Sequence, residues 1–529
     1  MDFTELVEGL QWPGAFPHPA DDLRVHRTHI SVVLLAGDFA YKLKKPLDLG
    51  FLDFSTLEKR REACEAEVRL NRRLAPEVYL GVVPVTPGPD GPRFGGEGEP
   101  LEYAVRMRRL PPEATAAARL ERGELDAGPL GRVARRIARF HGEAESGPEI
   151  ARYGRWEVVA GNARENFEQT AGHVGDVVTA AVHARTRELT ERELARCRPA
   201  IRERADRGVP RDTHGDLLLE HVYLFPDREP PGDVVIVDCI EFNDRFRYAD
   251  PVADAAFPVM DLVVRGRREL ARRFADAYFE AADDRGGRDL LELYVAYRAA
   301  VRAKVKGIAA RQEDAPPEER REARRRARAH WLAALGTLEA PERRPALVLV
   351  GGLPGTGKST LARGLADRAG FRVISSDRTR KALAGLPPDA DASAPFGRGL
   401  YDEGWDDRTY RACLEEADRT LLEGGRALVD ASFREERRRR AFVRLARRRT
   451  VPVLWLVCRA DPGEVRRRLA GRRDGASDAG PEIYEEAARR WEEAGDEVRR
   501  VTRPVRCDRG EAAAVEAALA HLREAGLAP

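Results

Sequence analysis

Apolar residues recur with two different periods along this chain of 529 residues, and the change of period divides it. From about residue 25 to 110 the apolar runs are short. Ile30–Ala36 is apolar, Gly37-Asp38 marks a hairpin turn, and Phe39–Leu43 returns as a strand. Ser55–Leu74 is charged with a helical repeat, and Val82–Val85 and Tyr103–Met107 read as further strands around the Gly/Pro-rich stretch Pro87–Pro100. The pattern predicts a small mixed lobe over 1–110. Residues 111–340 then read as mostly helical, interrupted by Asp212–Asp238, a loop followed by short strands. Residues 341–345 read as a linker. From 346 to 525 strands and helices alternate, with strands at Ala346–Val350, Phe371–Ser375, Ala427–Val429 and Val453–Val457. That alternation predicts a parallel sheet covered by helices on both faces.

Composition narrows the class. Hydrophobic residues make up 43% of the chain and charged residues 34%, which supports packed cores. A net charge of +2 supplies no general attraction to nucleic acid or acidic membrane. The Arg/Glu/Ala run Pro317–His330 reads as a solvated helix face carrying Glu/Arg pairs rather than a nucleic-acid surface. The six cysteines are scattered without a C-x-x-C pair, so buried free thiols are expected. Met1–Pro13 lacks the apolar core of a signal peptide, and no stretch approaches a membrane span; a cytoplasmic location is the expectation. Lysine is scarce, which makes Lys42, Lys44 and Lys358 informative.

The segment Gly352-Leu353-Pro354-Gly355-Thr356-Gly357-Lys358-Ser359 fits G-x-x-x-x-G-K-[ST] in full. It follows an apolar strand and opens a helix through Thr360, the context that the motif requires. Its glycines let backbone N–H groups turn toward phosphates, and the helix N-terminus favours the negative charge. Lys358 would neutralise the β/γ-phosphates and Ser359 would ligate Mg²⁺, so ATP and Mg²⁺ are the expected cofactors. Asp377 follows the second strand and Asp430 ends the third. Both therefore belong to the carboxyl edge of the sheet, where ligands bind in open α/β folds. Asp377 suits a group that orients or deprotonates an acceptor hydroxyl, and Asp430 suits the metal shell. Arg378, Arg468, Arg472 and Arg473, the last three preceding the Gly-bearing Asp474–Gly480, suit substrate contacts or a lid over a transferring phosphate.

This order, with the run Ser375–Lys381 (S-S-D-R-T-R-K), resembles the small-molecule kinase branch of P-loop proteins, including gluconate-kinase-like and zeta-toxin-like members, over Ala346 to about residue 525. Chloramphenicol-phosphotransferase-like and polynucleotide-kinase-like domains share the same parts, so the acceptor stays open. Upstream, His214-Gly215-Asp216 and the strand Val234–Asp238 resemble the aminoglycoside phosphotransferases and their protein-kinase-like relatives. The resemblance implies a two-lobed α+β fold with Asp216 as base and Asp238 on Mg²⁺. It also implies a lysine on the nucleotide phosphates, Lys42 being favoured over Lys44 on the same strand face. Glu67 or Glu65 would pair with that lysine, and Asp254 would be structural. Two features depart from that family. His221 stands where a metal-binding Asn is usual, and the hairpin Thr28–Lys44 lacks a glycine-rich phosphate loop.

Tyr41–Pro46, Gly50–Lys59 and Asp238–Asp244 together resemble a bacterial family of bifunctional aminoglycoside phosphotransferase/ATP-binding proteins along nearly the whole chain. Glu241, Asp244 and Asp250 are interleaved with arginines and do not make an evident acidic pocket for a cationic drug. The expectation is an ATP-dependent kinase of a small-molecule hydroxyl. The alternatives are a regulatory ATPase switch with a non-catalytic front half, or a toxin-like kinase of a nucleotide-sugar or nucleic acid.

Overall fold

A computed structural model describes residues 1–313, 315–387, 390, 399–470 and 481–529. The chain packs as two units. The front unit comprises 1–161, 197–262 and 267–294; the second comprises 162–196, 263–266 and 295–529.

The front unit opens with helix α1 (Phe3–Gly9), held by a capping box between Asp2 and Glu5. Strands β1 (Arg24–Arg27), β2 (Ser31–Ala36) and β3 (Phe39–Lys44) form a meander. Helix α2 (Leu57–Asn71) follows, and β4 (Tyr79–Gly88), β5 (Gly91–Phe94) and β6 (Glu102–Arg108) complete a six-stranded antiparallel sheet of order β1-β2-β3-β6-β4-β5. Alternation sorts its two faces. Tyr41 and Leu43 of β3 pack with Leu34, Phe94 and the α1 residues Leu6 and Val7. Lys42 and Lys44 project to the opposite face, toward the α2 residue Glu67.

Helices α3 (Ala116–Arg122), α4 (Ala127–Glu143), α5 (Pro148–Ala151), α6 (Trp156–Gln169) and α7 (Ala180–Asp206) follow. Strand β7 (Arg211–Asp212) precedes the hairpin of β8 (Val222–Leu224) and β9 (Val234–Ile236). Then come α8 (Asp244–Arg247), β10 (Tyr248–Ala249), α9 (Pro251–Val264), α10 (Arg268–Ala282), α11 (Leu291–Ala309) and α12 (Pro317–Leu338). Within the front unit α4 packs on α10, and the His141 ring nitrogen Nδ1 meets the Tyr278 hydroxyl at 2.8 Å.

The second unit holds β11 (Ala346–Gly351), α13 (Lys358–Ala369), β12 (Arg372–Ser375), α14 (Ser376–Leu383), α15 (Glu403–Leu422), β13 (Arg426–Asp430), α16 (Glu436–Arg448) and β14 (Val453–Arg459). It closes with α17 (Pro462–Ala470), α18 (Pro481–Arg489), α19 (Asp496–Arg499), β15 (Thr502–Arg506) and α20 (Glu511–Glu524). The five strands form a parallel sheet of order β12-β13-β11-β14-β15, the architecture that the strand–helix alternation predicts. Ala346, Val348 and Val350 face α13 and α20, while Leu347 and Leu349 face the other core with α15 and α16.

The division of the chain differs from a cut at the 341–345 linker. Residues 162–196 and 295–340, assigned from sequence to the helical lobe, pack with the P-loop sheet. Trp331, Leu332 and Leu335 of α12 share a core with Leu347, Leu349, Val429 and Trp455. The hydroxyl of Thr450 donates to Ala329 O at 2.7 Å, and that of Thr179 to Leu422 O at 3.0 Å. The cause lies in α12 itself. Its first half carries the Arg/Glu pairs Arg321–Glu318, Arg325–Glu322 and Arg326–Glu322. Its second half is buried almost continuously from Ala329 to Gly336, so it needs cover on every side. The six cysteines are buried free thiols.

Candidate functional site

Parallel register brings the C-terminal ends of the second unit's strands to one edge. Val350 pairs with Asp430, Asp430 with Ser375, and Gly351 with Val457. Gly352–Gly357 turns across that edge with positive φ at Gly352 (145°), Gly355 (77°) and Gly357 (98°). A Cβ at Gly355 would lie 2.9 Å from Leu469 Cγ, and one at Gly352 would lie 2.7 Å from Cys458 O. The turn therefore needs glycine for both conformation and space. Thr356 Oγ1 donates to Leu353 O at 2.7 Å, and Lys358 Nζ donates to the same carbonyl at 2.9 Å.

Ser359, at the start of α13, hydrogen-bonds the Asp430 carboxylate. Asp430 is buried, and burial raises its pKa against the opposing pull of Lys358 and of that hydroxyl. Asp377 lies in the first turn of α14, whose N-cap Ser375 accepts from Arg378 N. Its pKa is also raised, first by burial and then by the charge of Asp430, with Lys358 and Arg380 opposing. Ser359 and Asp430 offer hard oxygen donors side by side, which suits Mg²⁺ held jointly with nucleotide phosphates. Among the described residues no group of three or more His, Cys, Asp or Glu is poised as a metal cage.

A cleft of about 1200 Å³ runs from the P-loop past Asp377 and Asp430. Sequence reasoning named Arg378 for it, but that side chain is exposed; Arg380, one position beyond its neighbour Thr379, is buried and lines the cleft. Arg380 pairs with Asp406 at 2.7 Å. Arg438 lies over the Tyr410 ring at 4.3 Å and pairs with Glu435 at 3.0 Å. These two arginines, with Arg434, were not singled out as site residues; Arg380 lies on α14, Arg434 precedes α16, and Arg438 sits in the arginine-rich α16, so only the fold selects which arginines face the cleft. Arg468 also lines it, donating to Glu464 at 2.7 Å and to Cys507 O at 3.0 Å. Arg472 and Arg473 lie outside the described residues.

The front unit gathers a second cluster. Lys42 Nζ donates to Glu67 Oε1 at 2.9 Å and to Asp238 Oδ1 at 2.7 Å. Lys44, fully buried, bridges Glu67 and Glu241. Glu65 instead pairs with Arg61 on the exposed side of α2. Burial opposes the Lys42 charge, but Asp238, Glu67 and Glu241 outweigh it and hold the ammonium well above its ordinary range. The Lys42 charge in turn holds Asp238, at φ 65°, well below the usual carboxylate range. His221 lies between the two aspartates, with Nε2 3.6 Å from Asp238 Oδ2 and Nδ1 3.8 Å from Asp216 Oδ2. Burial opposes its charge, yet Asp216 and Asp238 raise its pKa.

Asp254 organises the loop that carries Asp216. Its carboxylate accepts from His214 N at 3.0 Å and Gly215 N at 2.8 Å, and meets His141 Nε2 at 3.1 Å. Despite burial, these hydrogen bonds lower its pKa to about 2. Asp216, His221, Asp238, Lys42 and Glu67 are thus brought together within the front unit, and Lys358, Ser359, Asp377 and Asp430 within the second. The oxygens of Asp216 and Asp238 suit Mg²⁺, whereas the His221 imidazole between them does not.

A family model described as AAA domain matches residues 347–494. An uncharacterized protein of Mycobacterium tuberculosis (strain ATCC 25618 / H37Rv) is 34% identical over 469 residues, covering 88% of this chain and 90% of that protein. Among solved structures, a gluconokinase from Sinorhizobium meliloti 1021 is 19% identical, covering 34% of this chain and 93% of its own, with a TM-score of 0.25. The GDP complex of aminoglycoside 2'-phosphotransferase-IIIa is 15% identical, covering 62% of this chain and 97% of its own, with a TM-score of 0.38. Among the described residues no helix is long and apolar enough to cross a membrane.

Proposed function

Because the chain belongs to the family of the mycobacterial protein that it matches over 90% of that protein's length, and carries a P-loop domain at its C-terminal end, we propose that it is an ATP-dependent phosphotransferase whose P-loop site passes the γ-phosphoryl group to a hydroxyl of a small molecule. The observation that carries this reading is the convergence of Lys358, Ser359, Asp430 and a proton-accepting Asp377 in one cleft. Nucleotide binding alone does not need Asp377; transfer to a hydroxyl does.

In this reading the backbone N–H groups of Gly355–Ser359 cradle the phosphates, and Lys358 leaves Leu353 O for the β/γ oxygens. Mg²⁺, when bound by Ser359 and Asp430, neutralises charge developing on the phosphates. Asp377 accepts the acceptor's hydroxyl proton as the new P–O bond forms. Its raised pKa favours that role, since a carboxylate resisting its own charge is a better base. Arg380, Arg438 and Arg468 line the walls where the transferred group's charge would need cover.

Asp377→Asn tests this assignment. Transfer should fall about 10²–10⁴-fold while ATP binding persists. Thermal stability should hold or rise, because burial and Asp430 already oppose the native charge. Transfer within a factor of two of wild type would remove Asp377 from the reaction.

A second reading gives the front unit its own transfer site. The Lys42–Glu67 pair, with Asp216 and Asp238 joined through His221, favours it. Under this reading the two units are those of the bifunctional aminoglycoside phosphotransferase/ATP-binding family, and Asp216 faces an acceptor.

A further inference from the structure

Next to the Asp216 loop the front unit exposes an aromatic surface. The segment between β3 and α2 is a small hairpin: Leu49 N donates to Leu52 O at 3.0 Å and Phe54 N to Leu47 O at 2.7 Å. Its tip turns at Gly50, with φ 77°, and presents Leu49 and Phe51, each 46% exposed. The Phe51 ring lies 6.2 Å from that of Phe242 and 6.3 Å from that of Phe246, which are themselves 6.2 Å apart. Asn243, the N-cap of α8, donates through Nδ2 to Phe51 O at 2.9 Å and so fastens the tip to the other two rings.

The same segment abuts the Asp216 loop. A Cβ at Gly215 would lie 2.9 Å from Phe246 O, and Thr213 N donates to Arg247 O at 3.0 Å. Three acids of the adjoining segment are each paired with a cation of the unit. Glu241 pairs with Lys44, Asp244 with Arg247 at 2.7 Å, and Asp250 with Arg204 at 2.6 Å. A fastened, half-exposed triad of rings beside a candidate base, with Glu241, Asp244 and Asp250 paired to cations, is a surface for flat apolar groups.

We propose that Phe51, Phe242 and Phe246 form the front unit's acceptor platform, and that its ligand is an uncharged hydroxyl compound bearing a flat aromatic ring rather than a polycationic sugar. This rests on the second reading above, in which Asp216 faces an acceptor. The occupant is placed there by contiguity with Gly215 and Asp216, and its neutrality follows from the paired acids. Stacking on a preorganised ring triad needs no ordering of the tip on binding.

The test is ligand-observed NMR on the full chain without ATP. The probes are naphthyl and indolyl alcohols, sugar alcohols, and aminoglycosides such as kanamycin. The aromatic alcohols should bind, and Phe51→Ala should weaken them at least tenfold, with Phe51→Trp restoring binding. Phe51 sits at an exposed tip, so both variants should keep the wild-type melting profile. Phe246→Ala provides a second, independent loss. Kanamycin binding that exceeds the aromatic alcohols would overturn the proposal, as would aromatic binding unaffected by Phe51→Ala. A concentration-dependent dimer abolished by Phe51→Asp would overturn it too, by assigning the rings to a second copy of the chain. Binding is read without turnover, so loss of Asp216-dependent transfer would count against the front-unit reaction while leaving this result separate.

Discussion

Lys42 and Lys44 show what a residue's surroundings add to its place in a strand. Alternation puts both on one face of β3, toward α2, without saying which is which. The structure separates them. Lys42 reaches Asp238, whose side chain is 47% exposed, whereas Lys44 is sealed between two buried glutamates. Lys44→Met should therefore cost the front unit about 3–5 kcal/mol, because two buried carboxylates lose their shared cation. Lys42→Met should cost less, about 1–2 kcal/mol, while abolishing any front-unit nucleotide affinity. Calorimetry of the two variants checks the order; equal losses would mean that the buried triad is not the stabilising unit.

His214 carries a pH prediction at the same scale. Its Nε2–H donates to Val237 O at 3.0 Å, and its Nδ1 accepts from Asp216 N at 3.3 Å. Both nitrogens serve the neutral ring, and burial lowers its pKa to about 4. An unfolded chain would protonate this histidine near 6.5. His214 thus contributes stability that is present above pH 6.5 and lost as pH falls from there toward 4. Denaturant midpoints at pH 7.5, 5.5 and 4.5 should fall for wild type, and fall less for His214→Gln. Parallel slopes for the two proteins would contradict the assignment. No sequence signal marks this role, since H-G-D reads as a catalytic loop whether or not its histidine is charged.

At the scale of elements, strands with strong alternation or a pure apolar run were legible, as was the edge strand β12, and the other three edges of the two large sheets were not. β1 reads Arg-Val-His-Arg, is mostly exposed, and gives no alternating signal. β15, at the edge of the parallel sheet, buries Val505 alone among five residues and contains Pro504, which an edge strand tolerates. β5 hides in a Gly/Pro-rich stretch that reads as loop. The P-loop was legible because one turn requires its glycines and its lysine in a fixed order. Of the cleft's arginines Arg468 was legible, whereas Arg380, Arg434 and Arg438 were not, because they come from separate segments rich in the same residue. Helix α12 was legible as a helix but not as part of the P-loop unit. A chain starting at Pro341 would lose Trp331, Leu332 and Leu335 from the core around Leu347 and Trp455. It should aggregate or melt without a cooperative transition, whereas a cooperative melt near that of the full chain would show that α12 is dispensable.

At the scale of the whole molecule, the chain holds two candidate phosphate-handling sites of different origin. One is a P-loop at the edge of a parallel sheet, the other a Lys–Glu–Asp cluster between an antiparallel sheet and a helical region of the front unit. Motif order made both visible in the sequence, yet it could not rank them, since rank depends on which side chains meet. In the function proposed above, the P-loop site carries the principal transfer. The measurement that tests this most directly follows γ-labelled ATP in a bacterial metabolite extract with wild type, Lys358→Ala and Asp216→Asn. Label should pass to a small molecule with wild type and Asp216→Asn, and fall by two to three orders of magnitude with Lys358→Ala, about what removing one preorganised charge contact costs. Label transfer that survives in Lys358→Ala and vanishes in Asp216→Asn would contradict the account and move the chemistry to the front unit.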